Sequence, residues 1–573
     1  MKAHGEKSLP PAGVAGADRE EAAKQRRREI VLRLSLCILS GIMLGFSFPP
    51  SPFGILACFG LVPFLIVLAG LERYGQTLRY TYLTFLIFHI IALNWTGGYA
   101  HGNDMYMMIA GAITMSVHPL FYFIPVSLHF FTRKQLGEKA ALAALPFVWV
   151  AYEYTHALSE WSFPWLTIGN SQSYDITRIQ FISTTGVYGL SFWILVLNVL
   201  TFLLYAALAR EAFRPLSKKS LLFAGLILAV YYLPAIHGVL VMSHPTPERR
   251  DSIRVGMIQA NIDPWEKWNR SGYGIIEPYI RMTGDLVGES GTSRPDLVLW
   301  PETAVPYPVL APGRAGQLAE IRSRLDSMDV SVLTGLPHAV FYVDPRKAPP
   351  SAKHWLTTDE RYDMYNAAAL LQPGVKEIPW YGKMKMVPIA ERVPYADMFY
   401  WIDFLRWGVG IGGWQIGPDT TIFTEHRTGA RFCAVICYES TYPGFVAAFV
   451  RKGAEFITII TIDSWWDKMS GAYQHKQFAI FRAIENRRWI ARCAVGGISC
   501  YIDPYGRTYD AAGLFTSTTL ARTIGRSTDL TFYAEHGDLF GQGCLWFSAL
   551  FIAASIGQKF KNKKRAQQWN QRL

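Results

Sequence analysis

Residues 431–440 read RFCAVICYES. Five of the six residues of Arg431–Ile436 are apolar, the composition of a strand covered on both faces. The strand runs directly into Cys437-Tyr438-Glu439-Ser440. A cysteine presented on the turn that leaves a strand is a recurring solution for acyl transfer, because the turn lifts the sulfur out of the sheet. Read alone, Cys437 is more simply an inert buried thiol. Two further fragments bear on that choice. Asp296–Glu302 (DLVLWPE) is another apolar run that ends on a carboxylate beside a bulky ring, where desolvation favours a general base. Lys383 lies in YGKMKMVP, with Lys385 as a rival two positions on. An ammonium in a concave site stabilises an oxyanion and favours a neighbouring thiolate. In isolation Glu302 reads as a loop carboxylate and Lys383 as a surface lysine.

From Asp251 to about Ile524, short β-branched runs alternate with helical stretches. Ile253–Ile262, Asp296–Trp300, Val330–Gly335, Arg431–Ile436 and Phe456–Ile462 read as strands, and Gln317–Met328 and Tyr473–Arg492 as helices. This alternation predicts an α/β domain with a covered sheet.

The rest of the chain is of a different kind. Half of its 573 residues are hydrophobic and only 17% are charged, below the roughly 25% of a soluble domain. Apolar residues concentrate in eight candidate spans: Ile30–Phe48, Phe53–Gly70, Tyr80–Trp95, Met105–Phe131, Ala140–Leu158, Val187–Leu208, Leu221–Met242 and Leu539–Ile556. A span needs about 20 mostly apolar residues, so the second and third are short. Pro49, Pro50 and Pro52 stop the first helix and force a tight hairpin into the second. The expected organisation is a basic arm over 1–29, a seven-helix membrane domain over 30–245, the α/β domain over 246–530, a closing helix over 538–557 and a basic tail over 558–573. The leading arm lacks a small-residue cleavage site and does not read as a removable signal peptide.

Charge tests this arrangement. With the N-terminus inside, the stretch Met1–Arg33 carries +3, the next inside loop (Glu72, Arg73, Arg79) +1, the following one (Arg133, Lys134, Glu138, Lys139) +2, the segment Arg210–Lys219 +3 and the tail +6. Those segments hold +15, which leaves −3 for the remainder of a chain whose formal charge is +12. The pattern obeys the positive-inside rule, placing both termini in the cytoplasm and the α/β domain on the opposite face. The basic residues therefore report orientation and anionic-lipid contact, not a nucleic-acid partner.

Taken together, Trp300-Pro301-Glu302, then Lys383 with Val387-Pro388 and Glu391, then Cys437-Tyr438-Glu439 resemble the nitrilase superfamily. That resemblance implies an αββα sandwich with a Glu-Lys-Cys triad, here Glu302, Lys383 and Cys437. The surrounding spans narrow it to the apolipoprotein N-acyltransferase family. Gly45-Phe46 with Pro49-Pro50, Phe163-Pro164-Trp165 with Gly169-Asn170-Ser171-Gln172, and Gly186-Val187 with Gly189-Leu190-Ser191 are similar to that family's membrane half. Gln259-x-Asn261-Ile262 with Lys267-Trp268, and Arg482-Ala483-x-Glu485 leading to Arg492, are similar to its outer domain. The resemblance implies supporting roles for Glu391, Tyr438 and Glu439, and for Trp268 near the site entrance. Three positions depart from the family pattern: Ile389-Ala390 in place of Phe-Gly, and Ile462 and Val495 in place of asparagines.

The activity so implied is ping-pong transfer of an acyl chain from a phospholipid, phosphatidylethanolamine by family analogy, through a Cys437 thioester to the α-amine of a diacylglyceryl-cysteine lipoprotein. It implies a monomer in the bacterial inner membrane, with its α/β domain in the periplasm and with neither cofactor nor metal. The alternatives are a membrane-anchored amidase of the same superfamily and, more distantly, a transporter with an outer binding domain. Few ionisable residues beyond Glu153 and His89 fall in the spans, which disfavours transport. His475 reads as a structural histidine, and a location outside the cytoplasm permits Cys493 and Cys500 to pair.

Overall fold

The computed structural model describes residues 12–97, 105–210, 217–244, 251–267, 273–289, 291, 293–349, 352–354, 360–395, 398 and 413–572. The α/β region forms two sheets. Its strands in chain order are β1 (Ser252–Gln259), β2 (Leu297–Leu299), β3 (Ser331–Phe341), β4 (Lys353–His354), β5 (Arg361–Leu371), β6 (Trp380–Gly382), β7 (Phe423–Thr424), β8 (Arg431–Ile436), β9 (Phe456–Ile462), β10 (Ile490–Val495), β11 (Cys500–Ile502), β12 (Thr508–Tyr509) and β13 (Thr518–Gly525). One sheet has the order β13-β1-β2-β3-β5-β4, with β6 added against β5. The other runs β12-β11-β10-β9-β8-β7. Parallel pairs occupy the centre of each (β1-β2-β3 and β8-β9-β10), and these are the strands that are apolar on both faces.

The sheets pack face to face. The Cys493 thiol of β10 meets the carbonyls of Ile258 and Leu299 at 3.5 and 3.4 Å, and the Tyr501 hydroxyl donates to the Val255 carbonyl at 2.6 Å. Helices Tyr273–Glu289 and Ala315–Met328 cover the outer face of the first sheet through Ile276, Tyr279, Ile321 and Leu325. Helices Pro443–Arg451 and Ser470–Asn486 lie against the second. The layers are helix, sheet, sheet, helix, as the resemblance implies. The long helix expected to reach Arg492 stops at Asn486 instead. Arg487 takes a left-handed φ of 48° that ends it, and Ile490–Val495 then becomes a central strand. Cys493 and Cys500 are not bridged; all seven cysteines are free.

The helical half has the inside-out pattern of a protein in lipid. On helix Lys218–Met242 the leucines and isoleucines at 221, 222, 228, 233, 236 and 240 are exposed, whereas the buried residues are Ser220 and Gly238. A Cβ at Gly238 would collide with the Thr177 carbonyl, so the glycine sets how closely this helix approaches its neighbour. Among the described residues, four helices are long and apolar enough to cross a membrane: Met107–Leu136, Arg178–Ala209, Lys218–Met242 and Leu539–Asn570. They coincide with the fourth, sixth, seventh and eighth expected spans. The other four expected spans are helical over most of their length, overlapping Ala12–Gly45, Gly54–Ala69, Tyr74–Ala92 and Glu138–Leu158. Gly54–Ala69 is short, and the others carry charge (Arg28, Glu29 and Arg33; Arg79; Glu138, Lys139 and Glu153). Length and composition alone therefore do not count these four as spans.

One helix rivets the two halves. From Ser470–Asn486, the Gln474 amide nitrogen donates to the carbonyls of Pro49 and Ala92 at 2.8 and 3.0 Å. Its amide oxygen accepts from the indoles of Trp95 and Trp165 at 3.0 and 2.7 Å. About three turns later, Glu485 accepts from the Val187 amide at 3.0 Å and pairs with Arg482. Buried donors and acceptors left without partners cost about 1–3 kcal/mol each. Gln474→Ala is accordingly expected to lower stability by about 2 kcal/mol or more, read as a lower thermal midpoint in detergent. Gln474→Glu, which sets a buried carboxylate oxygen against the same two carbonyls, should be destabilised at least as much.

Candidate functional site

Each candidate residue sits where a strand ends. Glu302 follows β2 by two residues, in a turn where Thr303 adopts φ 45°. That turn lies against β3 at Gly335, whose missing Cβ would stand 2.4–2.7 Å from Thr303 N, Glu302 Cα and the Pro301 carbonyl. Lys383 is the residue after β6. Cys437 is the residue after β8, at φ 52°, a conformation non-glycine residues adopt sparingly and often at functional turns.

The ends converge. Lys383 is fully buried, with its Nζ 2.6 Å from Glu391 Oε1 and 3.6 Å from Glu302 Oε1. Of the two rival lysines, Lys383 joins the carboxylates. Lys385 turns away and rests over the rings of Tyr442 and Phe445 at 5.2 and 5.9 Å. Glu302 accepts from Asn366 Nδ2 at 2.7 Å and from the Ile462 backbone N–H at 3.1 Å. The Ile462 departure therefore leaves Glu302 supported, because the main chain makes this contact. Beneath the same turn the buried Lys267 ammonium donates to the Glu302 carbonyl and to Thr303 Oγ1 at 3.2 and 2.6 Å. Burial lowers the Lys267 pKa to about 7 against the pull of Glu302.

Charge in the cluster is set by burial and by neighbours. Burial alone pulls Lys383 down, but Glu391 and Glu302 outweigh it and hold the ammonium above the ordinary lysine range. Burial pushes the Cys437 thiol up, Glu302 adds to that, and Lys383 opposes it. Glu391 is likewise raised by burial against Lys383. Burial thus disfavours the Cys437 thiolate while the carboxylates favour the Lys383 ammonium, and a thiol so placed needs a base before it can act as a nucleophile.

Glu439 holds two of the ends in register. Its Oε2 accepts from the Ile436 amide at 2.8 Å. Its Oε1 accepts from Tyr381 Oη at 2.6 Å and from the amides of Met384 and Lys385 at 2.6 and 3.1 Å. Burial raises its pKa to about 7 in spite of those bonds. Glu391 fixes a tight turn by accepting from the Val387 amide at 2.8 Å while it pairs with Lys383. Within that turn the departing residue Ile389 takes φ 69°, a strained value for a β-branched side chain. Val495, the third departure, is a buried residue of β10. Tyr438 points away from the thiol: its hydroxyl donates to the Ser162 carbonyl at 3.0 Å and its ring stacks near Phe163 and Trp165 of the helical half. Trp268 lies outside the described residues.

Three residues of the cluster carry little signal in the sequence. Asn366 is a lone amide in the apolar run of β5, and that interruption is its only mark. His475 was expected to be structural, and its task is local to the cysteine: Nε2 meets the Cys437 carbonyl at 3.0 Å and Nδ1 meets Asp463 Oδ1 at 2.9 Å. A carbonyl only accepts, so Nε2 carries the proton. Burial would raise the Asp463 carboxyl, but Arg492 at 2.8 Å and His475 more than offset it and hold the pKa near 2. A carboxylate depressed on folding adds stability above its unfolded pKa and loses it as pH falls through the folded value. Between pH about 4 and 2 the protein should therefore lose on the order of 2 kcal/mol that Asp463→Asn does not lose. The comparison is acid unfolding of the two forms followed by circular dichroism.

Residues 40–200 match the family model described as the apolipoprotein N-acyltransferase N-terminal domain, and residues 254–528 match the carbon-nitrogen hydrolase model. The chain is 34% identical over 536 residues to an apolipoprotein N-acyltransferase of Chlorobaculum tepidum, covering 91% of this chain and 96% of that one. It is 28% identical over 530 residues to that of Geobacter metallireducens, covering 91% and 95%. It is 25% identical over 558 residues to that of Thermotoga maritima, covering 95% and 97%.

Proposed function

The chain belongs to the apolipoprotein N-acyltransferase family of bacterial membrane acyltransferases, and on that premise we propose that its acyl donor is a phospholipid and its acyl carrier is Cys437. The observation that carries this reading is the burial of Lys383 between two carboxylates, 2.6 and 3.6 Å away, beside a thiol on a strained strand-end turn.

Glu302 removes the thiol proton as the Cys437 sulfur attacks the ester carbonyl, by family analogy the sn-1 ester of phosphatidylethanolamine. Lys383, oriented by Glu391, and a backbone N–H stabilise the oxyanion. The carbon–oxygen bond breaks, and the leaving alkoxide takes the proton back from Glu302 to give lysophospholipid and a thioester. The α-amine of the diacylated lipoprotein then attacks the thioester. Glu302 receives the ammonium proton, the carbon–sulfur bond breaks, and the proton returns to sulfur. A thioester suits the second step because it is more reactive toward amines than the oxygen ester it came from.

Both substrates are held by lipid chains. Tyr438 and Tyr442 touch the helical half at Ser162, so acyl tails among the helices lie close to a carbonyl at Cys437. We place the α/β domain over 246–530 in the periplasm, eight spans in the inner membrane and both termini in the cytoplasm. The +15 on the assigned inside segments supports that orientation. The protein acts as a monomer.

Incubation with phosphatidylethanolamine is expected to add one acyl mass to the intact protein, and Cys437→Ala should show none while remaining folded. An adduct on the alanine form would overturn the nucleophile assignment. Release of free fatty acid in place of acylated lipopeptide would favour an amidase-like hydrolase. Removing one oxyanion donor costs about 10²–10³ in rate, so Lys383→Met should slow adduct formation by at least that factor.

A further inference from the structure

Lys385 has no part in the chemistry described above, yet it is held with care. Glu439 fixes its backbone N–H, and its side chain is half-buried at the seam between the sandwich and the helical half. Among the described residues its ammonium meets no hydrogen-bond acceptor. It rests on ring faces, Tyr442 at 5.2 Å and Phe445 at 5.9 Å, which attract a cation without satisfying its N–H groups. Tyr442 in turn bonds Ser162 of the helical half at 2.6 Å, so the ammonium stands where the two halves meet. The carboxylates whose charge reaches it are Glu439, spent on its four bonds, and Glu160. Glu160 comes from the loop after helix Glu138–Leu158, and its Oε2 accepts from the Tyr395 amide at 2.6 Å.

The local charge makes the ammonium useful. Lys383 pairs with Glu302 and Glu391, and the Lys267 ammonium lies beneath the Glu302 turn, so both lysines are already engaged. A phosphodiester brought to the site adds a negative charge, and Lys385, whose ammonium rests on rings alone, can offset it. Lys385 lies two residues from Lys383, on the bend whose consecutive amides Glu439 holds. The ester carbonyl and the phosphorus of a glycerophospholipid are separated only by the ester oxygen, the glycerol carbons and one phosphate oxygen, so a donor whose ester meets Lys383 carries its phosphate to the neighbouring residues. Resting on the donor reading above, we propose that Lys385 binds the phosphate of the donor lipid and that Glu160 receives a primary ammonium beyond it, so that the pair selects a zwitterionic amine head group while Lys383 handles the ester.

The test is steady-state acyl transfer to a diacylated lipopeptide by the full-length protein in detergent, with phosphatidylethanolamine and phosphatidylglycerol as donors. The phosphate is common to both, so Lys385→Met should raise KM for both about tenfold while kcat stays within about threefold, and Lys385→Arg should restore KM. The ammonium is present in one donor only. Glu160→Gln, which keeps an oxygen for the Tyr395 amide, should raise KM for phosphatidylethanolamine about fivefold and leave phosphatidylglycerol unaltered. An unaltered KM for both donors in Lys385→Met, or a fall in kcat at constant KM, overturns the phosphate contact. Equal effects of Glu160→Gln on both lipids overturn the amine contact. Failure of the wild type to transfer an acyl chain from either lipid would instead remove the donor reading itself.

Discussion

A single buried carboxylate ties the site together. Glu439 takes four donors from two separate pieces of chain: the last residue of β8 before Cys437, the β6 tyrosine, and the two residues after Lys383. A buried carboxylate is costly unless its lone pairs are filled, and here the groups that fill them are those whose mutual position matters. The thiol turn and the lysine strand are therefore set by one another. A shift of either would leave backbone amides unpaired inside the protein, a stronger restraint than packing between apolar side chains, which tolerate small slides.

The same logic operates one layer out. His475 and Arg492 converge on Asp463, and His475 also reaches the Cys437 carbonyl, so the positive φ at the cysteine is supported from behind. The helix that carries His475 carries Gln474 one residue earlier, on the other side, where it bonds the Pro49–Ala92 region and two indoles. Adjacent residues on a helix point about 100° apart, which lets one element face the thiol turn and the membrane half at once. The cradle of the candidate site and the junction with the apolar helices are thus parts of one helix.

Much of this could be read along the chain. The central strands announce themselves because parallel strands buried on both faces are runs of Val, Ile, Leu and Cys. The order of Trp-Pro-Glu, Lys and Cys-Tyr-Glu singled out the candidates, and Glu302 and Cys437 were expected at the ends of strands before any geometry was known; the short strand before Lys383 was not. The helix expected to run from Tyr473 to Arg492 hid a central strand, because Asn486-Arg487 ends it by a left-handed turn that side-chain periodicity does not register. Glu302 finds Asn366 and the Ile462 amide from strands 64 and 160 residues away, distances over which no local pattern speaks. That is also why replacing the usual asparagine by Ile462 looked more damaging in the sequence than it is in the fold.

Composition and charge alone determined that this protein lives partly in lipid and which end of each helix carries the basic residues. Those properties follow from transfer free energies that act residue by residue. The order of Trp300-Pro301-Glu302, Lys383 and Cys437-Tyr438-Glu439 carried the resemblance to the family. What only the tertiary structure decided is which lysine serves the carboxylates, what holds the cysteine in its strained turn, and where the sandwich meets the helices. Each depends on a buried polar group choosing among distant partners. That choice is made by the requirement that every such group be satisfied at once, a condition on the whole fold and on no segment of it.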